Sequence, residues 1–344
     1  MKPAITVRSS RFSFIFEKRT VIINLILFFL AVFACVIGPM LGHTLLSPYE
    51  VVTALFGNGS GANEFIVMQS RLPRTLLSLV AGAALGVSGM ILQGIVRNPL
   101  AAPDIIGVTG GGAVAAVIFL TYGAGLSIQF LPLAAVTGSL LVAVLTYFLA
   151  WQRGITPIRL VLIGIGISAI MSAGTTFMIV VSSAVTASQA YLWLTGSVYG
   201  ASWNDVGILV TVVFLTIPVT MVFSRSLNTQ QLGNDTALGL GVRLQLDRLI
   251  LLLFSVILAG SAVALVGAVG FVGLIAPHIA RTLVGKTHGA LTLASASSGA
   301  LLLFGADLAA RTLFYPVDIP AGVFTAGVGA PFFLYLLFRN RHHM

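Results

Sequence analysis

Apolar residues run along this chain in blocks of roughly 20, and the polar residues collect in the short gaps between them. A bilayer-crossing helix needs about 20 predominantly apolar residues. Ten segments approach or meet that length: 21–41, 71–93, 105–121, 130–150, 158–182, 205–224, 249–268, 271–285, 290–309 and 320–338. The third is short and glycine-rich. The seventh and eighth form one apolar run too long for a single crossing, and Gly267 and Gly270, where the backbone turns cheaply, divide it. The expectation is an all-α polytopic membrane protein of about ten transmembrane helices. Residues 21–338 form its single domain, between an N-terminal segment 1–20 and a tail 339–344.

Composition agrees. The chain has 344 residues, 58% hydrophobic and 8% charged, against about 25% charged in soluble domains, which excludes a water-soluble fold. A net charge of +9 usually raises nucleic acid as a partner. Here the cations lie between apolar segments instead of on one polar domain, so no nucleic-acid partner is expected. Ten spans put both termini on one side. With the N-terminus inside, the inner segments hold 15 of the 18 Lys and Arg residues, and only Arg71, Arg74 and Arg311 lie outside. This satisfies the positive-inside rule, whereas an odd span count would strand Arg339 and Arg341 outside. Lys2, Arg8, Arg11, Lys18 and Arg19 precede the first apolar run as in a signal peptide. That run is too long for a signal core and has no small-x-small exit, so it reads as a first span with a cytoplasmic N-terminus in a cell-membrane protein. The lone Cys35 excludes an internal disulfide and a cysteine zinc site, and Phe33 is too bulky for a lipoprotein cleavage site there.

Chemistry-bearing residues are sparse. Gly82 and Gly86 form a small-xxx-small pair that supports close helix packing. Ala81–Pro99 and Ala259–Pro277 share an Ala-Gly start, several glycines and a closing proline, and run in opposite directions, as inverted repeats do. Intramembrane acids mark ion relays, yet the best candidate is Asp307, four residues before Arg311, a spacing typical of a structural pair. A proton-coupled pump therefore lacks its coupling residue, and energy must come from elsewhere. Gly285-Lys286-Thr287 ends like a phosphate loop, but Ala280 stands where its first glycine belongs, so a nucleotide site belongs on another subunit. Residues 225–248 form the one long inner loop. It exposes Leu232, Leu238 and Leu240, which call for a protein surface or, alternatively, a membrane surface. Arg71, Arg74 and Arg311 read either as interfacial anchors or as docking points for an acidic partner. His278 has no second ligand at metal spacing and reads as a helix-terminus hydrogen-bonder, and His342 and His343 sit in the tail. No nucleophile–base pair suggests an enzyme, and no cofactor or resident metal is expected.

Several blocks together resemble the FecCD-type permeases, the membrane subunits of ABC importers for iron–siderophores, haem and cobalamin. They are RLPR at 71–74, GAALGVSGMILQGIVRNPLAAPDIIGVTGGG at 82–112, LGNDTALGLGV at 232–242, GAVGFVGLIAPHIAR at 267–281, GADLAAR at 305–311 and DIPAGVFTAGVGAPFFLYLL at 318–337. The resemblance covers roughly residues 20–340. It implies a type II ABC importer permease that pairs with a second copy or paralogue, with two ATPase subunits inside and a substrate-binding protein outside. It also implies that Leu232, Gly233, Asn234, Asp235, Ala237, Leu240 and Gly241 couple to the ATPase. Arg71, Arg74 and Arg311 would receive acids of the binding protein, and Thr156 and Pro157 would belong to an inner gate. The chain departs from the family pattern at Asn234, where an acid is common, at Lys286-Thr287-His288-Gly289 after the PHIAR block, and at Asp318, where Glu is frequent. The expected activity is inward transport of an iron chelate by alternating access. Two rival readings are a permease for a divalent ion, which would need histidines and acids along its spans, and a secondary transporter coupled through Asp307.

Overall fold

The computed structural model describes residues 4–8, 13–42, 44–57, 59–123, 125–314 and 316–340. It opens on two short strands, β1 (Ala4–Arg8) and β2 (Ser13–Glu17), paired antiparallel with Ala4 opposite Glu17. The all-helical expectation thus holds for the membrane body, while the N-terminal segment adds a hairpin. The tail with His342 and His343 lies outside the described residues.

Fifteen helices follow among the described residues. They are α1 (Lys18–Met40), α2 (Pro48–Leu55), α3 (Gly61–Phe65), α4 (Leu72–Val96), α5 (Val108–Tyr122), α6 (Leu131–Ala150), α7 (Pro157–Val181), α8 (Ala184–Thr195), α9 (Trp203–Val222), α10 (Ser224–Gln230), α11 (Asn234–Gly239), α12 (Leu244–Val266), α13 (Val272–Val284), α14 (His288–Leu313) and α15 (Ala321–Asn340). Eight of the helical segments are long and apolar enough to cross a membrane. The shorter α5 and α13 complete the ten expected segments. The small helices α2, α3, α8, α10 and α11 lie between spans. Lys18, Arg97, Arg153, Arg243 and Lys286 all fall at one end of the bundle, called here the basic end; Arg71, Arg74 and Arg311 fall at the opposite end.

α4 is the most deeply buried long helix and α1 the least. Glycine is what admits α4 to the centre. A Cβ on Gly82 would stand 2.1 Å from the carbonyl oxygen of Gly299 on α14, one on Gly86 2.3 Å from that of Ser295, and one on Gly89 1.7 Å from that of Gly273 on α13. No side chain fits those gaps. Ser88 adds a polar clasp to α12, its hydroxyl 2.7 Å from the Ser255 carbonyl and 2.8 Å from the Ser255 hydroxyl. These two hydroxyls are paired with each other and with backbone carbonyls, as a low-dielectric interior favours.

At about 1.5 Å per residue, α5 spans about 22 Å and α13 about 20 Å, short of a hydrocarbon core of about 30 Å. The linkers before them supply the missing depth. After α4, Arg97 in the left-handed region (φ 57°) ends the helix. The chain then re-enters the bundle through a 3-10 turn, Pro103–Ile106, before Gly107 (φ 81°) starts α5. There Ser168 donates to the Asp104 carbonyl at 2.9 Å, and Gly164 lies so near Ile105 that a Cβ would sit 1.9 Å from its oxygen. Ser168 is about 16 Å along α7 from Pro157, so Asp104 lies well inside the bundle. On the second unit, Gly267 (φ 73°) ends α12 and Phe271 (φ 68°) starts α13.

Two helix–linker–half-helix units, α4 to α5 and α12 to α13, therefore run in opposite directions, and they meet where Pro103 packs on Gly273. The residue match expected from Ala81–Pro99 and Ala259–Pro277 is not the structural one, since Pro99 lies in a linker and Pro277 inside α13.

The α4 crossing makes a direct prediction. Gly82→Val should destabilise the fold by about 1–3 kcal/mol or more, seen as lower monodisperse yield and melting temperature in detergent. Exposed Gly207, with open space around its Cβ position, should tolerate Ala with little change.

Candidate functional sites at the two ends of the bundle

At the end opposite the basic one, the three arginines are engaged inside the chain. Arg71 donates to the carbonyls of Pro39 (3.0 Å) and Thr44 (2.8 Å) and to the Thr44 hydroxyl (2.9 Å), so it caps the end of α1. Arg311 donates to the Gly38 carbonyl at 3.0 Å and faces Asp307 with its Nε 3.8 Å from Oδ2. Arg74 binds two carboxylates. Its Nε donates to Asp307 Oδ1 at 2.9 Å, while Nη1 and Nη2 hold Asp318 Oδ2 and Oδ1 at 2.5 and 2.9 Å. The Tyr199 ring stands 5.8 Å from its guanidinium carbon.

Asp307 is fully buried, whereas the Asp318 side chain is 31% exposed. The expected Asp307–Arg311 pair is present, but Arg74 is the closer partner of Asp307. Neither Asp307 nor Asp318 is near Arg74 in sequence, and only the helix packing brings them together. The three arginines expected as anchors or docking points are thus set into a network of two acids and the carboxyl end of α1.

At the basic end the order is reversed: a cation is buried on neutral acceptors. Arg248, 1% exposed, donates through Nε to Gln230 Oε1 (3.0 Å), through Nη1 to the Ile155 carbonyl (3.1 Å) and through Nη2 to Asn234 Oδ1 (2.8 Å). Arg97 binds the same Asn234 oxygen. Gln245 holds the Ile155 amide at 2.9 Å. One guanidinium therefore joins α10, the start of α11 and the turn that leads into Thr156, Pro157 and α7.

Around it, Ala237 is buried as the foot of α11, while Leu232, Leu238 and Leu240 are 65, 57 and 65% exposed. Gly233 and Gly241 take positive φ (111° and 81°) and set the two bends of the loop. Leu232, Gly233, Asn234, Asp235, Ala237, Leu240 and Gly241 are thus gathered on one short helix and its flanks. Sequence reasoning missed Arg248, which it counted only as an inner cation; a charge at the head of an apolar span was the available signal.

Asp104 was also missed. It sits on the re-entrant turn, takes a hydrogen bond from Thr109 and keeps accessible surface although it lies deep along the bundle. Ser172 and Thr176, also exposed, continue from the half-buried Ser168 along α7 at steps of four. The unusually short third span, preceded by Pro103, was the clue that this loop turns back into the bundle. The remaining candidates are quieter. His278 packs edge-on against Phe332 at 5.5 Å, and Gly285-Lys286-Thr287 joins two helices with no strand before it. Among the described residues, no group of three or more His, Cys, Asp or Glu could hold a metal. A groove of about 610 Å³, lined by residues that include Ile106, Leu140, Tyr147, Trp151, Leu160 and Leu253, is apolar.

The FecCD transport family model matches residues 27–339. The chain belongs to the FecCD transport family. It is 48% identical over 318 residues to the achromobactin transport system permease protein of Dickeya dadantii, covering 92% of this chain and 90% of that one. It is 46% identical to a probable siderophore transport system permease protein of Bacillus subtilis, covering 95% and 97%. Among solved structures it is similar to a metal-chelate type ABC transporter in an inward-facing conformation, with a TM-score of 0.84 and 30% identity over 93% of this chain and 99% of that chain. A FecCD chain is a membrane-embedded, multi-pass transport permease and not an enzyme.

In this FecCD permease the secondary-transporter reading of Asp307 has a structural competitor, since the carboxylate is enclosed by Arg74 and Arg311. Removing one member of a buried ion pair leaves the others uncompensated, at about 3–5 kcal/mol. Asp307→Ala should therefore lower stability by that amount in a denaturation series in detergent. A variant as stable as the parent but inactive in transport would instead mark Asp307 as a coupling acid.

Proposed function

We propose that this chain is the membrane-spanning permease subunit of an ATP-driven importer, and that it carries a ferric siderophore into the cytoplasm by alternating access. The observation that carries this reading is similarity at 46–48% identity, along nearly the whole chain, to permeases named for achromobactin and siderophore transport. A cobalamin or haem cargo is the alternative within the family resemblance. The positive-inside rule puts the basic end and both termini in the cytoplasm of a cell (inner) membrane protein.

Each end then has a partner. Inside, the exposed leucines around α11 form an apolar surface that a protein must cover, and two ATPase subunits, one on each permease of a pair, would do so. Arg248 ties that surface to the turn at Thr156 and Pro157, the proposed inner gate. Outside, the network around Arg71, Arg74 and Arg311 faces an extracytoplasmic substrate-binding protein. Between the ends, a carboxylate and a row of hydroxyls (Asp104, Ser172, Thr176) are exposed at membrane depth. Hydrocarbon cannot cover such groups at low cost. They fit a water-filled path beside the second permease copy, which a polar chelate crosses without a tight pocket. ATP-driven closure of the ATPase pair shifts the permease between two states by binding one of them better.

The deciding experiment is purification at native expression in mild detergent after brief crosslinking, with every companion identified and counted. The expected result is two ATPase copies per permease pair and one binding protein. A permease that purifies alone, under conditions that hold other such complexes together, defeats this reading. Leu240→Glu combined with Gly241→Glu should abolish ATPase association while membrane insertion persists. ATPase retained at parental stoichiometry would remove the coupling role from this loop.

A further inference from the structure

The three outer arginines are not equivalent. Every hydrogen bond given above for Arg71 ends on the stretch from Pro39 to Thr44, and that of Arg311 ends on Gly38. Those donors staple the carboxyl end of α1, and an incoming acid would have to break backbone contacts to use them; the Arg311 Nε faces the buried Asp307 instead. Gly42 reinforces this, since a Cβ there would stand 2.9 Å from the Arg71 guanidinium. Arg74 differs. Asp307 holds its Nε and reaches Nη2 at 2.7 Å from the buried side, while a second carboxylate, Asp318, holds Nη1 and shares Nη2 on the exposed side.

Asp318 lies in the segment before α15, with Phe314, Pro316 and Val317 exposed beside it. The bidentate fork is the geometry by which a guanidinium recognises any carboxylate. The chain has thus filled Arg74 with its own acid at the one place where a partner's acid could reach it.

We propose that Asp318 is an intramolecular competitor for Arg74, and that docking of the substrate-binding protein exchanges Asp318 for an acidic side chain of that protein. This rests on the importer reading given above and sharpens it. Of the three arginines, Arg74 alone is the recognition residue, and Arg71 and Arg311 are structural. The exchange keeps Arg74 paired before and after, so neither state leaves a bare buried cation. Asp307 holds the guanidinium in place meanwhile. Freed Asp318 also loosens the head of α15, whose Gly322 amide donates to the Gly196 carbonyl at 2.9 Å at the end of α8. Docking is thereby felt where α15 and α8 meet.

The test measures affinity of the binding protein recovered in the purification above for the intact transporter in lipid nanodiscs, over a salt series. A competitor and a mere support predict opposite signs. Asp318→Asn should tighten binding about fivefold, the size of a partly exposed ion pair, and Asp318→Glu should stay near the parent. Arg74→Gln should weaken binding roughly tenfold and flatten its salt dependence. Arg71→Gln and Arg311→Gln should lower folded yield, while the protein that survives binds with near-parental affinity. Unchanged or weaker binding by Asp318→Asn, with binding lost in Arg74→Gln, overturns the competition and leaves outer docking intact. Parental binding by Arg74→Gln removes both. Asp318→Ser repeats the measurement if the asparagine variant does not fold.

Discussion

Backbone-to-backbone contact between α4 and its neighbours α13 and α14 is the constraint on which the rest depends. In lipid, burying apolar surface gives helices little reason to associate, because the tails are as apolar as leucine. What remains is close packing and the pairing of polar groups. Glycines at 82, 86 and 89 let α4 meet Gly299, Ser295 and Gly273 at distances no side chain allows. Three polar contacts of the core are arranged around that axis. The Ser88–Ser255 clasp, the Gln93 amide on the Leu274 carbonyl and the Arg74 network all start from α4. Once α4 is fixed, the second unit can meet the first at Pro103 and Gly273, and the two half-helices acquire their depth.

The two ends of the bundle solve the problem of buried charge differently. At the end opposite the basic one Arg74 has full carboxylate partners, a strong and directional arrangement. At the basic end Arg248 has only an amide side chain, a second amide and a backbone carbonyl, with Arg97 sharing the Asn234 oxygen. Hydrogen bonds to neutral acceptors hold geometry with less electrostatic gain than ion pairs. A joint of that kind between α11 and the turn into α7 is easier to rearrange than a salt bridge would be. A carboxylate at the position of Asn234 would pair with Arg248 and Arg97 as an ion; the amide makes the joint looser. That suits an element expected to move with each ATP cycle.

How much of this was legible follows from range. The spans were legible because hydropathy is local, and all ten expected segments have a helix. Both half-helices were visible only as shortness, since depth depends on where a linker turns. The re-entry at Pro103–Ile106 is held by Ser168 and Gly164, some 60 residues away, and local pattern carries no trace of it. Asp307 was read with Arg311 because four residues separate them, yet its closer partner, Arg74, comes from a helix 233 residues earlier. Residues 232–241 stand out as a block by resemblance, but the tie from Asn234 to Arg248 left no trace in the sequence. Burial of the outer arginines was likewise invisible: charge at a helix end looks the same in sequence whether it points at water or at a carboxylate.

The distribution of polarity also bears on where selectivity resides. A pocket that discriminated among iron chelates would need several convergent donors and acceptors held rigidly at one depth. The groove of about 610 Å³ is apolar, and its lining reaches Ile106 on the turn that carries Asp104 without including that carboxylate. The exposed polar groups at membrane depth named here are one carboxylate and a file of hydroxyls spread along α7. Groups strung out in this way ease passage of a polar solute but do not converge on it. A path that binds weakly along its length releases cargo at each step, which alternating access requires. In the importer proposed above, discrimination among chelates would fall to the partner that presents the cargo, and the weight of specificity would rest on the end of the bundle that carries Arg74.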